Sequence, residues 1–137
     1  MTDLIWLGQQ LSRAGREEIE RSAPGIPVAE LIVMGDLIEH SPASITSIAE
    51  RTGYVQSRVS TAVAKIVERG WAELESDPAD ARRTLVAVPA TTRRQAKAFQ
   101  VTSQPRPFEE LLPTMPKKKR DAIVRALEDL HDALRAR

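Results

Sequence analysis

Two short stretches of this 137-residue chain carry side chains suited to reading a polyanion. The first is Gln56-Ser57-Arg58-Val59-Ser60-Thr61, followed one helical turn later by Lys65. Amides and hydroxyls exchange hydrogen bonds with base edges, while guanidinium and ammonium groups meet phosphates or a guanine. The second is Asp80-Ala81-Arg82-Arg83, two guanidinium groups beside a carboxylate. The carboxylate is placed to orient the Arg82 guanidinium by a charge-assisted hydrogen bond, and an arginine on a projecting turn suits the narrow, negative minor groove of a duplex. Other chemistries lack their parts. No nucleophile–base pair, glycine-rich phosphate loop or metal-ligand cluster is legible, so neither an enzyme nor a bound cofactor is expected. His40 and His131 stand apart in a chain without cysteine, which argues against a dedicated zinc site.

These groups need elements to position them. At 100° per residue, Val59, Ala62, Val63 and Ile66 share one apolar arc, with Ser57, Thr61 and Ala64 nearly opposite. Arg58 and Lys65 fall on one shoulder, Ser60 on the other, and no acid interrupts the outer face before Glu68. Such a face fits a major groove about 12 Å wide. Taken alone, it better fits an ordinary amphipathic helix with a solvated polar side, and the arginine turn alone fits a surface ion pair worth about 0–1 kcal/mol. The order of elements decides. Ser44 starts a short helix over Ile45–Arg51, with Ser47 and Glu50 offering a second capping pattern, and Thr52-Gly53 stops it. A helix over Tyr54–Arg69 follows and ends at Gly70. Trp71 and Leu74 then flank, with Leu85, Val86 and Val88, a turn opened by Asp77-Pro78. Two helices joined at a glycine and followed directly by a hairpin make a winged helix-turn-helix.

The flanks read as helices. Leu4, Leu7, Leu11, Gly15 and Ile19 recur at helical spacing from Asp3 to Arg21, and a second helix runs from Pro27 to about His40. A fifth helix opens at Thr91 or Thr92 and ends before Gln104-Pro105-Arg106-Pro107; the last covers Lys117–Arg135. The expected fold is therefore mainly α with a small β-hairpin wing: three helices, a fourth, the hairpin, then two helices.

Composition agrees with a nucleic-acid partner without requiring one. Hydrophobic residues make up 42% and charged residues 28% of a chain with formal net charge +1, an ordinary globular balance. The charge is uneven: −5 over residues 1–50, then +3 over 51–94 and +3 over 95–137. An acidic start beside a basic middle suits a middle segment that meets a polyanion. Absent cysteine excludes disulfide scaffolding and thiol chemistry. No apolar run approaches the roughly 18 residues of a membrane span, and MTDLIWLGQQ lacks a signal-peptide pattern, so a cytoplasmic protein is expected, with no membrane partner.

The stretch SITSIAERTGYVQSRVSTAVAKIVERGWAELESDPADARRTLVAV resembles the core of the MarR family of transcription regulators. Gln56-Ser57 and Val59-Ser60 stand near the start of the recognition helix, Arg69-Gly70 at its stop, and Asp77-Pro78-Ala79-Asp80-Ala81-Arg82 in the wing. GIPVAELIVMGDLIEH resembles the family's second helix, so the likeness covers about residues 25–90. Two departures stand out: Thr61 replaces a residue that is basic in many members, and Pro105 and Pro107 shorten the fifth helix. The resemblance implies one MarR-like domain, with a winged lobe over about 25–90 and dimerisation helices over about 1–22 and 91–137. It implies a homodimer on a palindromic double-stranded operator, acting as a repressor, contacting DNA through Gln56, Ser57, Arg58, Ser60, Thr61, Lys65, Asp80, Arg82 and Arg83. It also implies a cleft for a small aromatic or phenolic effector between the dimer and DNA-binding lobes, to which Trp6, Arg13, Arg16 and Met34 are assigned; each also suits core or solvated surface. Leu4, Leu7, Leu127 and Leu134 are hard to bury within one chain, which favours the dimer on physical grounds. The alternative is a winged-helix protein–protein module, of anti-activator type, without DNA binding.

Overall fold

The computed structural model describes residues 3–102 and 107–137, with side chains for 3–97 and 108–137. The helices are α1 Leu4–Ser22, α2 Val28–His40, α3 Ile45–Thr52, α4 Gln56–Glu68, α5 Ala90–Thr102, α6 Pro107–Leu111 and α7 Lys117–Arg135. The strands are β1 Ala43–Ser44, β2 Glu73–Ser76 and β3 Thr84–Ala87. This is the mainly helical, winged architecture expected, with two additions.

The first is β1. It pairs antiparallel with β3, in the register Ala43↔Val86 and Ser44↔Leu85, so the hairpin belongs to a three-stranded sheet ordered β1-β3-β2. Ala43-Ser44 carries no β-branched or aromatic signal; it is extended because β3 offers it a free edge. The second is α6. Pro107, expected to be a breaker, instead opens this helix at the first position, where a missing N–H costs nothing. The expected stop at Gln104-Pro105-Arg106 lies outside the described residues.

Caps explain several boundaries. The Asp3 carboxylate accepts hydrogen bonds from the Ile5 and Trp6 amides at 3.0 and 3.1 Å. Ser44 Oγ accepts from the Ser47 amide at 3.1 Å, so Ser44 rather than Ser47 caps α3. α2 instead starts on Pro27 without a side-chain cap.

The chain divides into two compact units, Ser22–Gln104 and Met1–Arg21 with Pro105–Arg137. α5 thus groups with the winged lobe, whereas the family resemblance implies a division near residue 90. The winged unit holds the core. Val33, Leu37, Ile48, Val59, Ile66 and Val86 are fully enclosed, joined by Met34, Ile38, Ala49, Ala62, Val63 and Val88. In the other unit neither α1 nor α7 has a buried residue.

Candidate nucleic-acid interface

The two helices of the motif are locked before any partner arrives. α3 ends at Gly53, whose φ of 76° lies in the left-handed region, and the Gly53 amide donates to the Ala49 carbonyl at 2.9 Å. The Thr52 hydroxyl donates to the Ile48 carbonyl at 2.8 Å, which tightens the same turn. α4 ends in the two-bond glycine closure: Gly70, with φ 78°, donates to Val67 O at 2.9 Å, and Trp71 donates to Ile66 O at 3.1 Å. Between these ends, Val59, Ala62, Val63 and Ile66 are buried, as their spacing predicts.

Two ion pairs tie both helices to α2. Asp36, buried, accepts from Arg51 Nε and Nη2 at 2.8 Å each. This hydrogen bonding holds the Arg51 pKa above its ordinary range, against the opposing effect of partial burial. Glu30, also buried, accepts from Arg69 Nε at 2.8 Å. The Arg69 guanidinium also lies over the Trp71 ring at 5.2 Å. Sequence pattern did not reveal these pairs, because partners 15 and 39 residues apart leave no local periodicity.

The outer face of α4 presents the expected groups. Gln56, Ser57, Arg58, Ser60, Thr61 and Lys65 are all exposed. The Arg58 guanidinium sits 4.2 Å from the centroid of the Tyr54 ring, which restricts its swing. Gln56 Nε2 donates to Thr46 Oγ1 at 3.4 Å, and the Thr61 hydroxyl donates to the Ser57 carbonyl at 3.0 Å. Thr61 therefore presents lone pairs outward rather than a donor. Lys65 pairs with Glu68 at 3.1 Å. Ser57, Arg58, Thr61 and Lys65 also line a groove of about 450 Å³ against Pro27, Ala29 and Glu30 at the start of α2. Tyr54 and Thr46 thus join the site as positioning groups. Their signal, an aromatic and a hydroxyl just ahead of the helix, is too common to find by pattern.

The wing corrects one expectation. Asp80 Oδ1 accepts from the Arg82 backbone amide at 3.0 Å, not from its guanidinium. Asp77 acts alike, accepting from the Ala79 amide at 2.9 Å, while the Asp80 and Arg83 amides bond to Asp77 O and Asp80 O at 3.2 and 2.9 Å. The two aspartates wind the tip; they do not aim the arginines. A carboxylate two residues back reaches a nearby N–H with less loss of side-chain freedom than a mobile guanidinium demands. The Arg82 and Arg83 side chains are exposed and carry no ion pair among the described residues.

A second cavity, about 570 Å³, opens within the winged unit. Leu31, Met34, Ile38 and Trp71 give it apolar walls, with Thr92 and Gln95 of α5 as polar handles. Of the residues assigned to an effector, Met34 lines it. Trp6, Arg13 and Arg16 lie on α1 in the other unit, all exposed, and Arg13 is paired with Glu17 at 3.1 Å. There Leu4, Trp6, Leu130 and Leu134 are also exposed. At the head of α7, Lys117 bonds Asp121 at 2.9 Å and holds that carboxyl below its usual range. Among the described residues no three His, Cys, Asp or Glu side chains gather as a metal site, and no helix is long and apolar enough to cross a membrane.

A helix face rich in polar and basic side chains, a glycine-linked partner helix and an arginine-tipped wing define a winged helix-turn-helix domain. The sequence model of the MarR family matches residues 25–83, from the approach to α2 through the wing tip. The whole chain has the fold of its transcription regulators. A crystal structure of MarR superposes with a TM-score of 0.78 at 17% identity, covering 98% of this chain and 99% of that one. The PcaV regulator of Streptomyces coelicolor, solved with its natural ligand, gives 0.64 at 18% identity over 97% and 94%. Bordetella bronchiseptica BpsR, whose DNA binding is regulated by 6-hydroxynicotinic acid, gives 0.61 at 21% over 91% and 92%. No curated protein sequence matches the chain.

Proposed function

We infer that the chain is a non-enzymatic, sequence-specific regulator of transcription, a cytoplasmic repressor that binds a palindromic operator as a homodimer. The observation that carries this reading is the outer face of α4. Six hydrogen-bonding or cationic side chains stand exposed on a helix whose other face is buried and whose two ends are locked. In the major groove, Gln56, Ser57, Ser60 and Thr61 meet base edges, while Arg58 and Lys65 meet phosphates or a guanine. Arg82 and Arg83 extend contact into the adjoining minor groove, and Asp80 holds the turn that carries them. The exposed leucines of α1 and α7 supply an apolar seam for the second copy. The regulated DNA binding of BpsR, a structure of the same fold, supports the same polyanion partner and an effector.

For the effector, the cleft at Met34 and Trp71 is the better seat. Its lining carries no charged side chain, so it favours a small aromatic or phenolic ligand whose hydroxyl reaches Thr92 or Gln95. Trp6, Arg13 and Arg16 belong to the other unit and do not line this cleft.

Selection of tight-binding duplexes from a random pool, followed by anisotropy titration, tests the reading. A recovered inverted repeat, bound far more tightly than scrambled DNA at the same salt, is the expected result. Binding to all duplexes alike, or to none, would reject it and turn attention to a protein partner for the winged lobe.

A further inference from the structure

Val55 stands where a helix-capping residue is expected and caps nothing. It occupies the N-cap position of α4 with extended backbone angles (φ −68°, ψ 150°), and no side-chain cap is made there. Its carbonyl already accepts from the Arg58 and Val59 amides at 3.1 and 3.2 Å, as the carbonyl of an N-cap residue does. The side chain is 68% exposed, more than the other large apolar side chains exposed in its unit, Ile32 and Leu74. A lone exposed valine is ordinary on a protein surface. At this position it forgoes a hydrogen bond that Ser, Thr, Asp or Asn would make, and it gains no burial in exchange. The same fold does use caps elsewhere, at Ser44 for α3 and Asp3 for α1.

We propose that Val55 is a specificity-determining residue that packs against the 5-methyl group of one thymine in each operator half-site. Among the base edges of the major groove, the thymine methyl is the apolar feature, and small apolar side chains recognise it by contact. Val55 directly precedes Gln56 and Ser57, at the end of the recognition helix that approaches base edges. No acidic side chain occurs from Tyr54 to Val67 to hold this end away from the duplex. A serine here would cap the helix and lose the methyl contact; a valine gives up the cap and gains selectivity. The inference rests on the major-groove reading given above and adds a residue to it that hydrogen-bond chemistry alone would overlook.

The experiment uses the full chain and its selected operator. Each thymine is replaced in turn by deoxyuridine, which keeps every hydrogen-bonding group and removes the methyl alone. For the parent protein, one thymine position per half-site should weaken binding about fourfold on this replacement, the value of one buried methyl-sized group. Val55→Ser should bind thymine and deoxyuridine operators within about twofold of one another, and Val55→Ala, which keeps only one methyl for the contact, should show a smaller penalty than the parent. Val55→Ser should also melt at higher temperature than the parent, because it restores the cap, so lost discrimination is not lost folding. If the parent ignores every deoxyuridine replacement, or both variants keep its penalty, the valine contact is refuted while DNA reading stands. If no duplex is preferred by the parent, the major-groove reading fails and the valine contact with it.

Discussion

Breaking the Asp36–Arg51 pair from its two ends should cost different amounts, although the same two hydrogen bonds vanish in each case. The Asp36 side chain is 7% exposed and the Arg51 side chain 33%, so the carboxylate lies inside while the guanidinium reaches solvent. Arg51→Ala leaves a buried carboxylate without its two 2.8 Å donors. Removing one partner of a fully buried pair costs about 3–5 kcal/mol; water at the arginine end lowers the expected figure to about 2–3 kcal/mol. His40 does not replace the loss. Its Nδ1 donates to the Asp36 backbone carbonyl at 3.1 Å and stays 3.5 Å from the carboxylate. Asp36→Ala instead leaves a guanidinium that turns outward to water. It loses the bonds and strands no buried charge, at about 1–2 kcal/mol. The double variant should then be more stable than Arg51→Ala alone, since the stranded carboxylate is gone.

Urea unfolding followed by tryptophan emission measures this in a Trp6→Phe background, so that Trp71, packed on the winged core, is the reporter. For a chain of this length each kcal/mol moves the melting temperature by about 3–4 °C, which gives an independent check. Equal losses for the two single variants, or a double variant less stable than Arg51→Ala, would refute the reasoning that burial of the carboxylate sets the cost.

The other expectations are shorter. Gly53→Ala, at φ 76° with open space where a Cβ would sit, should destabilise by about 1–2 kcal/mol through backbone strain alone, measured in the same urea titration. Arg82→Ala should weaken operator binding by about 1–3 kcal/mol, most where the flanking minor groove is A·T-rich, with circular dichroism unchanged. Lys65→Ala should weaken specific and non-specific DNA about equally and lower the salt slope of log K by about one unit. Leu130→Asp with Leu134→Asp should convert a dimer to monomer or aggregate in sedimentation; a soluble folded monomer of the parent chain at micromolar concentration would refute the seam.

Much of the fold was legible because it is written at short range. The spacing of Val59, Ala62, Val63 and Ile66 gave the buried face of α4, and Gly53 and Gly70 marked both ends of the turn-helix unit through the left-handed angles they adopt. The hairpin followed from a break in helical period and an Asp-Pro turn. Features that depend on distant partners were not legible. β1 exists because Val86 and Leu85 present an edge 41 or more residues away, and Glu30 and Asp36 look like solvated helix residues until Arg69 and Arg51 arrive. The fifth helix ends at Thr102, ahead of the prolines as expected, but α6 is not legible, because a proline signals a boundary without saying that a new helix opens on it.

At the site, residue type was easier to read than residue role. Gln56, Ser57, Arg58 and Lys65 were assigned by chemistry, and that chemistry stands exposed on α4. Asp80 was assigned a partner by charge, yet the carboxylate spends itself on a backbone amide, because a turn must satisfy its own N–H groups before it can serve a ligand. Arg58 shows the converse. Its restraint comes from the face of an aromatic ring, a partner with no formal charge and hence no signal in a charge pattern. The consequence reaches function. On the proposed DNA-reading function, the untethered Arg82 would let the wing adapt to the width of a minor groove, while Arg58, held over Tyr54, would bring a more fixed geometry to the base edges. Discrimination between sequences should therefore depend more on Tyr54 and Arg58 than on the wing, and affinity for any duplex more on the wing than on Tyr54.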